Sequence, residues 1–496
     1  MIFLVKFFIC GVISSLLFPP FFLIPLGFII YPYLFYLVNH KNFVNRNRIF
    51  HFTSGFLYGL GMMSIILIWI KEPFYIDPKT QNFSFFSYLL IIYCSLYFGV
   101  TFLIINYFKK SILKLIMLPI VLVISEIICS NLGYGFPWST YSLIHSGNLF
   151  GLSLIYYFGN YGLSYLTLLL FLVPSLILLY RNEVKNIIYK LYIFFIFIII
   201  LISFLLFYIR SSNIKTVYSR DIDISLVQLN FPLVSPLQNS IAKNRELSIL
   251  NEIIKNKSEL IIFAENNYPY LIDQTINLSS MFKNLNIKNS VIIGLTRNEK
   301  SNIYNSLSLI EQNNSKFFDK KILVPFGEFV PFRNFFNFLD IIAGSKDFKQ
   351  GNKDRIIKTK NNLNIIPVIC YEIIFFWKLI NNTNDHGDLI VNITNDAWFG
   401  KFSGPYQHFY LSRLRAAEYN KPLVRVSNNG VSALIDNFGN IVGFIPLNKS
   451  AVKTFNIRLL KNHKNFLGLH KNIFYFIFLF FLVGIILNFK HESRVI

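Results

Sequence analysis

Three short segments carry the residue types that nucleophilic chemistry needs. The first, Ile261-Ile262-Phe263-Ala264-Glu265-Asn266, ends an apolar run on a carboxylate. Layered α/β sheets place their ligand crevices at the carboxyl ends of buried strands, so Glu265 stands where a base is useful. A strand-end Glu facing solvent is the plainer alternative. The second runs Lys320-Lys321-Ile322-Leu323-Val324-Pro325-Phe326-Gly327-Glu328. It reads either as an ammonium placed to meet negative charge or as a surface loop. The third, Ile365-Ile366-Pro367-Val368-Ile369-Cys370-Tyr371-Glu372, puts a thiol after an apolar run and before a helical pattern. A helix N-terminus offers partial positive charge and free N–H groups, which favour a thiolate and can hold an oxyanion. A buried, inert cysteine is the alternative. Cys10, Cys94 and Cys129 all lie in long apolar runs, where a thiol behaves as a small apolar group. Cys370 has no cysteine near it to form a disulfide.

The elements that must position these residues lie between about 220 and 455. Apolar, β-rich runs occur at Ile222–Gln228, Leu260–Phe263, Val291–Leu295, Ser306–Ile310, Ile365–Ile369, Leu389–Asn392, Leu423–Val426 and Ser432–Asp436. Several are unbroken Val, Ile and Leu, the pattern of strands covered on both faces. Helical patterns fall around 238–256, 371–380 and 405–420. Strands alternating with helices argue a layered α/β domain. Asn381-Asn382-Thr383-Asn384 reads as a loop.

The rest of the chain is different in kind. Its 496 residues are 54% hydrophobic and 15% charged, too little charge for a soluble enzyme of this length. Runs of bilayer-spanning length occur at 2–18, 21–38, 51–70, 85–107, 111–129, 152–179, 188–209 and 472–489, about eight in all. The expected organisation is a transmembrane domain over 1–210, a globular domain over 211–470, and a last helix with a short tail over 471–496. The short loops carry their cations on one side: Lys41, Arg46 and Arg48; Lys109, Lys110 and Lys114; Arg181, Lys185 and Lys190; Lys490 and Arg494. Cations mark cytoplasmic loops. Both termini are therefore expected inside, with 211–470 outside. Part of the net charge of +22 is this topology signal. The remainder, including Lys453, Arg458, Lys461, His463 and Lys464, reads either as a solubilising face or as attraction to anionic head groups. Nucleic acid is not an expected partner for a domain outside the cytoplasm.

Taken together, the three segments resemble the nitrilase, or carbon–nitrogen hydrolase, superfamily: a strand ending in Glu265, Lys320 about 55 residues on, and strand-Cys370-Tyr371-Glu372 about 50 residues further. The likeness continues through Val391-Asn392-Ile393-Thr394-Asn395-Asp396-Ala397-Trp398-Phe399-Gly400, Gln407-His408, Arg413-Leu414-Arg415-Ala416-Ala417-Glu418 and Arg425-Val426-Ser427-Asn428-Asn429-Gly430. Leu323-Val324-Pro325-Phe326-Gly327-Glu328-Phe329-Val330-Pro331, Gly135-Phe136-Pro137-Trp138 and the flanking spans narrow it. They look like the membrane branch, the apolipoprotein N-acyltransferase family. Two departures stand out. Phe263-Ala264-Glu265 replaces the family's usual Trp-Pro-Glu. The family's Trp after the first domain strand is absent, with Leu237 near its place.

The resemblance implies a four-layer α-β-β-α sandwich beside the multi-span helical domain. It also implies a triad of Glu265 as general base, Cys370 as nucleophile and Lys320, with the Tyr371 N–H, as oxyanion donors. Supporting roles fall to Glu328, which orients Lys320 or the amine, and to Glu372 behind the thiol. The implied partners are a phospholipid acyl donor and a diacylglyceryl-modified apolipoprotein acceptor, in the bacterial inner membrane. No cofactor or metal is implied, since His386 and His408 lack a ligand-like cluster, and a monomer is expected. Phe136, Pro137 and Trp138 read as lining lipid access or as interfacial anchors, and Glu126 as a hydrogen-bonding carboxylate. The rival readings are a tethered amidase or nitrilase using water, a lipid-binding scaffold with a decayed site, and a transporter. The intact Glu265, Lys320 and Cys370 argue against the scaffold. The lack of broken, charge-bearing helices argues against the transporter.

Overall fold

The computed structural model describes residues 2–212, 218–233, 238–273, 289–312, 314–335, 346–380, 386–460 and 465–492. Leu237, the stretch 381–384, Lys461, His463, Lys464 and Arg494 lie outside the described residues. The chain forms two compact units. The first comprises Met1–Ile70, Phe85–Ile214 and Asn465–Ile496; the second comprises Lys71–Ser84 and Lys215–Lys464.

The first unit is helical. Among the described residues, six helices are long and apolar enough to cross a membrane: Arg48–Ile66, Gln81–Tyr107, Ser111–Asn131, Leu149–Phe171, Ile187–Ser211 and Leu467–Phe489. The first two apolar runs differ from the sequence expectation and form shorter helices, Ile2–Ser15 and Ile24–Asn39. Proline chemistry accounts for both. Pro19-Pro20 supplies no N–H and disfavours α geometry in the residue before it. Pro25 opens the second helix, where its missing N–H costs nothing. The run at 152–179 also divides, with Pro174 separating Leu149–Phe171 from Ser175–Glu183. Phe194, Phe197, Phe204 and Tyr208 of Ile187–Ser211 are exposed, which a hydrocarbon surround explains and water does not. Glu126 ties Ser111–Asn131 to its neighbours: it accepts from the Tyr141 N–H and the Ser164 hydroxyl, both at 2.9 Å. Trp138 is fully buried against Trp69, their rings 4.5 Å apart. It therefore packs in the unit's interior.

The second unit holds two sheets. The strands of the first are β1 (Tyr218–Gln228), β2 (Leu260–Phe263), β3 (Ile272–Asp273), β4 (Ser290–Glu299), β5 (Asn302–Glu311), β6 (Asn314–Asp319) and β13 (Ala451–Leu460). They run in the order β13-β1-β2-β4-β5-β6, with β3 on β4. The second sheet holds β7 (Ile357–Lys358), β8 (Asn364–Ile369), β9 (Leu389–Thr394), β10 (Leu423–Ser427), β11 (Ser432–Ile435) and β12 (Ile441–Ile445), in the order β12-β11-β10-β9-β8-β7. The centres, β1-β2-β4 and β8-β9-β10, are parallel, so their carboxyl ends lie on one side of each sheet.

Strand alternation builds the layers. Ile222, Ile224 and Leu226 of β1 and Ile262 of β2 pack with Ile365 and Ile369 of β8, Val391 and Ile393 of β9 and Val426 of β10, forming one core between the sheets. The opposite-facing Val227, Ile261, Phe263, Val291 and Ile293 pack on Ile249 and Ile253 of the helix Asn239–Lys255. The helix Gly404–Tyr419 covers the far side of the second sheet, its Ser412 hydroxyl 3.3 Å from Asn392 Oδ1 on β9. The result is the α-β-β-α sandwich. All eight sequence-read strands are present; β3, β6, β7, β12 and β13 are additional.

One buried pair fixes the end of β6. Asp319 accepts from Arg297 Nε and Nη2, both at 2.6 Å, and from the Ser306 hydroxyl at 2.7 Å. Removing one partner of such a pair leaves an uncompensated buried charge. Asp319→Ala is therefore expected to lower stability by about 3–5 kcal/mol, read as a clear fall in the thermal midpoint of the detergent-solubilised protein. An unchanged midpoint would contradict the assignment.

Candidate active site

Four sequence-separated side chains, Glu265, Lys320, Glu328 and Cys370, converge near the ends of β2, β6 and β8. Glu265 follows β2, Lys320 follows β6 and Cys370 follows β8, and each is almost wholly buried. Lys320 Nζ lies 2.9 Å from Glu328 Oε1 and 3.6 Å from Glu265 Oε1. Cys370 sits close enough to Glu265 and Lys320 for both charges to act on its thiol, and Thr394 at the end of β9 favours the thiolate.

Local chemistry explains each position. The Glu265 turn lies directly on Gly294 of β4. A Cβ there would come 2.5 Å from the Glu265 Cα and 2.7 Å from the Asn266 nitrogen, so only glycine lets the strand approach. Asn266 takes the left-handed φ of 51°, which Asn tolerates, and Asn267 Oδ1 accepts from the Ala264 N–H at 3.1 Å. Lys320 is held by its backbone: its N–H donates to the Asn305 carbonyl and its carbonyl accepts from Gly351, both at 2.9 Å. Cys370 has φ 50°, a conformation costing a non-glycine residue about 1–3 kcal/mol. It sharply turns the chain out of β8.

The helix expected after the thiol is not there. Cys370–Ile374 and Phe376–Lys378 are single 3₁₀ turns. Glu372 shortens this segment, because its carboxylate folds back to accept from the Ile369 N–H at 2.8 Å and from Arg355 Nη1 and Nη2 at 2.9 and 2.8 Å. The same carboxylate accepts from the Lys321 N–H at 2.8 Å and the Ile322 N–H at 3.2 Å. Glu372 thus clamps the cysteine turn to the lysine loop from behind, without touching the sulfur's neighbours Glu265 and Lys320. Tyr371 is buried, its ring 5.1 Å from Phe375.

With no long helix behind it, the sulfur's environment is set by burial and by three charges. Burial and then Glu265 push the Cys370 thiol well above its ordinary range, against the pull of Lys320. Burial likewise raises Glu265, and Glu328 adds to the rise, while Lys320 and Asn305 oppose it. Burial alone would lower Lys320, but Glu328 and Glu265 outweigh it and hold the ammonium charged. Burial thus favours a neutral resting thiol near a carboxylate with raised proton affinity. This arrangement can transfer the thiol proton to Glu265 as sulfur attacks, and it can meet a developing oxyanion with Lys320.

Sequence reasoning missed Asn305. Its Nδ2 donates to Glu265 Oε1 and to Glu328 Oε1, both at 2.8 Å, and holds the two carboxylates at fixed separation. An amide at a buried strand position, flanked by Tyr304 and Ser306, was the available signal. Arg355 was also missed; it sits in a loop whose sequence carries no signal for its role.

Comparison with known proteins identifies the lineage. The carbon–nitrogen hydrolase family matches residues 224–459, and the apolipoprotein N-acyltransferase N-terminal domain matches residues 10–173. The apolipoprotein N-acyltransferase of Rickettsia prowazekii is 30% identical over 457 residues, covering 88% of each chain. That of Wigglesworthia glossinidia brevipalpis is 32% identical over 462 residues, again covering 88% of each. The chain belongs to the apolipoprotein N-acyltransferase family. Among solved structures, Saccharomyces cerevisiae Nit3, a nitrilase superfamily member, aligns at 18% identity and a TM-score of 0.37, covering 49% of this chain and 91% of that one. Within this apolipoprotein N-acyltransferase family member, the Phe263-Ala264 pair before Glu265 is fully buried. These two residues therefore pack behind the carboxylate, which is 2.8 Å from Asn305 Nδ2 and 3.6 Å from Lys320 Nζ.

Two outcomes test the geometry. Gly294→Ala must displace the Glu265 turn, and a misplacement approaching 1 Å costs about 100-fold in rate; the initial rate of acyl transfer reads it. Asn305→Leu removes a hydrogen bond that favours the Glu265 carboxylate, so Glu265 binds its proton more tightly. The acid limb of the pH–rate profile for Cys370 acylation then moves to higher pH. A limb that stays put or moves down would reject Glu265 as the titrating base.

Proposed function

We propose that this enzyme moves an acyl chain from a phospholipid to the N-terminal α-amine of a diacylglyceryl-cysteine on an apolipoprotein, through a thioester at Cys370. The observation that carries the reading is the gathering of buried Glu265, Lys320 and Cys370 at the ends of three strands, with Lys320 3.6 Å from Glu265, in a chain that has six membrane-length helices among its described residues.

In the first half-reaction Cys370 Sγ attacks the ester carbonyl as Glu265 takes the thiol proton. The tetrahedral oxyanion is held by Lys320 and the Tyr371 N–H. Collapse breaks the ester C–O bond, and the proton on Glu265 passes to the departing lysophospholipid oxygen. In the second, the neutral amine attacks the thioester and gives its proton to Glu265. The C–S bond breaks, and the sulfur recovers that proton. Glu328 orients Lys320 through the 2.9 Å contact, and Glu372 braces the turn. The distribution of Lys and Arg in the short loops supports a catalytic unit facing the periplasm with both termini in the cytoplasm. The apolar runs before about 210 and after about 470 support domain limits of about 1–210, 211–470 and 471–496, and the enzyme acts as a monomer.

Intact-mass analysis of the purified protein with phospholipid alone is expected to reveal an acyl adduct on the wild type and none on Cys370→Ala. Glu265→Gln should bind lipid and fail to load it. An equal adduct on Cys370→Ala, or normal loading by Glu265→Gln, would overturn the mechanism.

A further inference from the structure

One buried cluster lies directly behind the nucleophile and has no part in the mechanism so far. His408, Asp396 and Arg425 are each fully buried. Asp396 Oδ2 is 2.6 Å from Arg425 Nη2, and Asp396 Oδ1 is 2.9 Å from His408 Nδ1. Arg425 Nη2 also lies 3.1 Å from that nitrogen. The ring's other nitrogen, Nε2, reaches the backbone carbonyl of Cys370 at 3.3 Å. A carbonyl only accepts, so this contact puts a proton on Nε2.

The geometry of the peptide gives the contact its consequence. The carbonyl of Cys370 and the N–H of Tyr371 belong to one planar amide, and in a trans amide the two point in opposite directions. Only Pro19-Pro20 is cis among the described residues. A group that grips the carbonyl from behind therefore fixes where the N–H points in front. A hydrogen bond on the oxygen also polarises the amide and strengthens its N–H as a donor. The left-handed φ of 50° at Cys370 makes such a restraint necessary, since an isolated chain would relax away from it.

We infer that His408, held by Asp396 and Arg425, is a positioning residue that aims the Tyr371 N–H at the oxyanion. The inference rests on the acyl-enzyme reading above. It separates His408 from any part in forming the thiolate, which falls to Glu265 and Lys320.

The test compares two reactions at Cys370, each followed by peptide mass analysis at that residue. Acylation by p-nitrophenyl acetate passes through an oxyanion; alkylation by iodoacetamide does not. The side-chain amide of Gln reaches about as far as Nε2, whereas that of Asn reaches only as far as Nδ1. His408→Gln is therefore expected to keep most of the acylation rate. His408→Asn should lose about 100-fold, the scale of one lost oxyanion donor, while its alkylation rate stays at the wild-type value. Equal acylation by the two variants, or alkylation falling in step with acylation, would overturn the inference. Acylation of wild-type Cys370 by the ester but never by phospholipid would instead remove the lipid donor and leave the positioning role standing.

Discussion

A buried ammonium between two carboxylates is the constraint on which the catalytic unit depends. Lys320 is almost fully enclosed, 2.9 Å from Glu328 and 3.6 Å from Glu265. An isolated charge in that place would cost several kcal/mol, so the three groups must arrive together or not at all. They come from a lysine loop and the ends of two different strands, and Asn305 on β5 bridges the two acids. Burial above all keeps Cys370 protonated at rest and raises the proton affinity of Glu265; Glu265 adds to the first effect and Glu328 to the second, while Lys320 opposes both.

The surrounding structure repeats one device. Asp319 pairs with Arg297 immediately before Lys320, Glu372 pairs with Arg355 just after Cys370, and Asp396 pairs with Arg425 just after Thr394. Each is a buried arginine–carboxylate pair next to a group that touches the reacting centre. Such pairs are weak sources of stability compared with well-packed apolar residues. What they supply is direction, because a planar guanidinium fixes a carboxylate's position and orientation. Burial holds Glu372 up, but Arg355 and the surrounding N–H groups bring it below the ordinary carboxylate range, so it stays charged and never competes with Glu265 for a proton. Carboxylates with opposite proton affinities thus sit close together, and their different partners set their different roles.

Much of this was legible before any coordinates. Strand runs ending in Glu265 and Cys370 marked the crevice, because buried parallel strands are apolar throughout and a polar residue at their ends is conspicuous. The membrane-length helices were legible from hydropathy, except where prolines at 19, 20 and 25 shortened the first two. The short strands β3 and β7 were not, since two residues carry no period. Asn305 and Arg355 escaped for a related reason: their partners lie far away in the chain, and local sequence offers at most an amide in a strand for the one and nothing for the other.

The sequence by itself determined which groups are available for chemistry and that part of the chain belongs in a bilayer, because residue type and apolar run length act locally. Only the tertiary structure decided what activates Cys370. A helix N-terminus was the natural expectation from the residues that follow it. The fold instead turns the chain through a left-handed residue and a single 3₁₀ turn, with Glu372 folded back on its own backbone. Activation therefore comes from side chains gathered across three strand ends. Electrostatics of that kind depend on distances in space, which spacing along the chain does not encode.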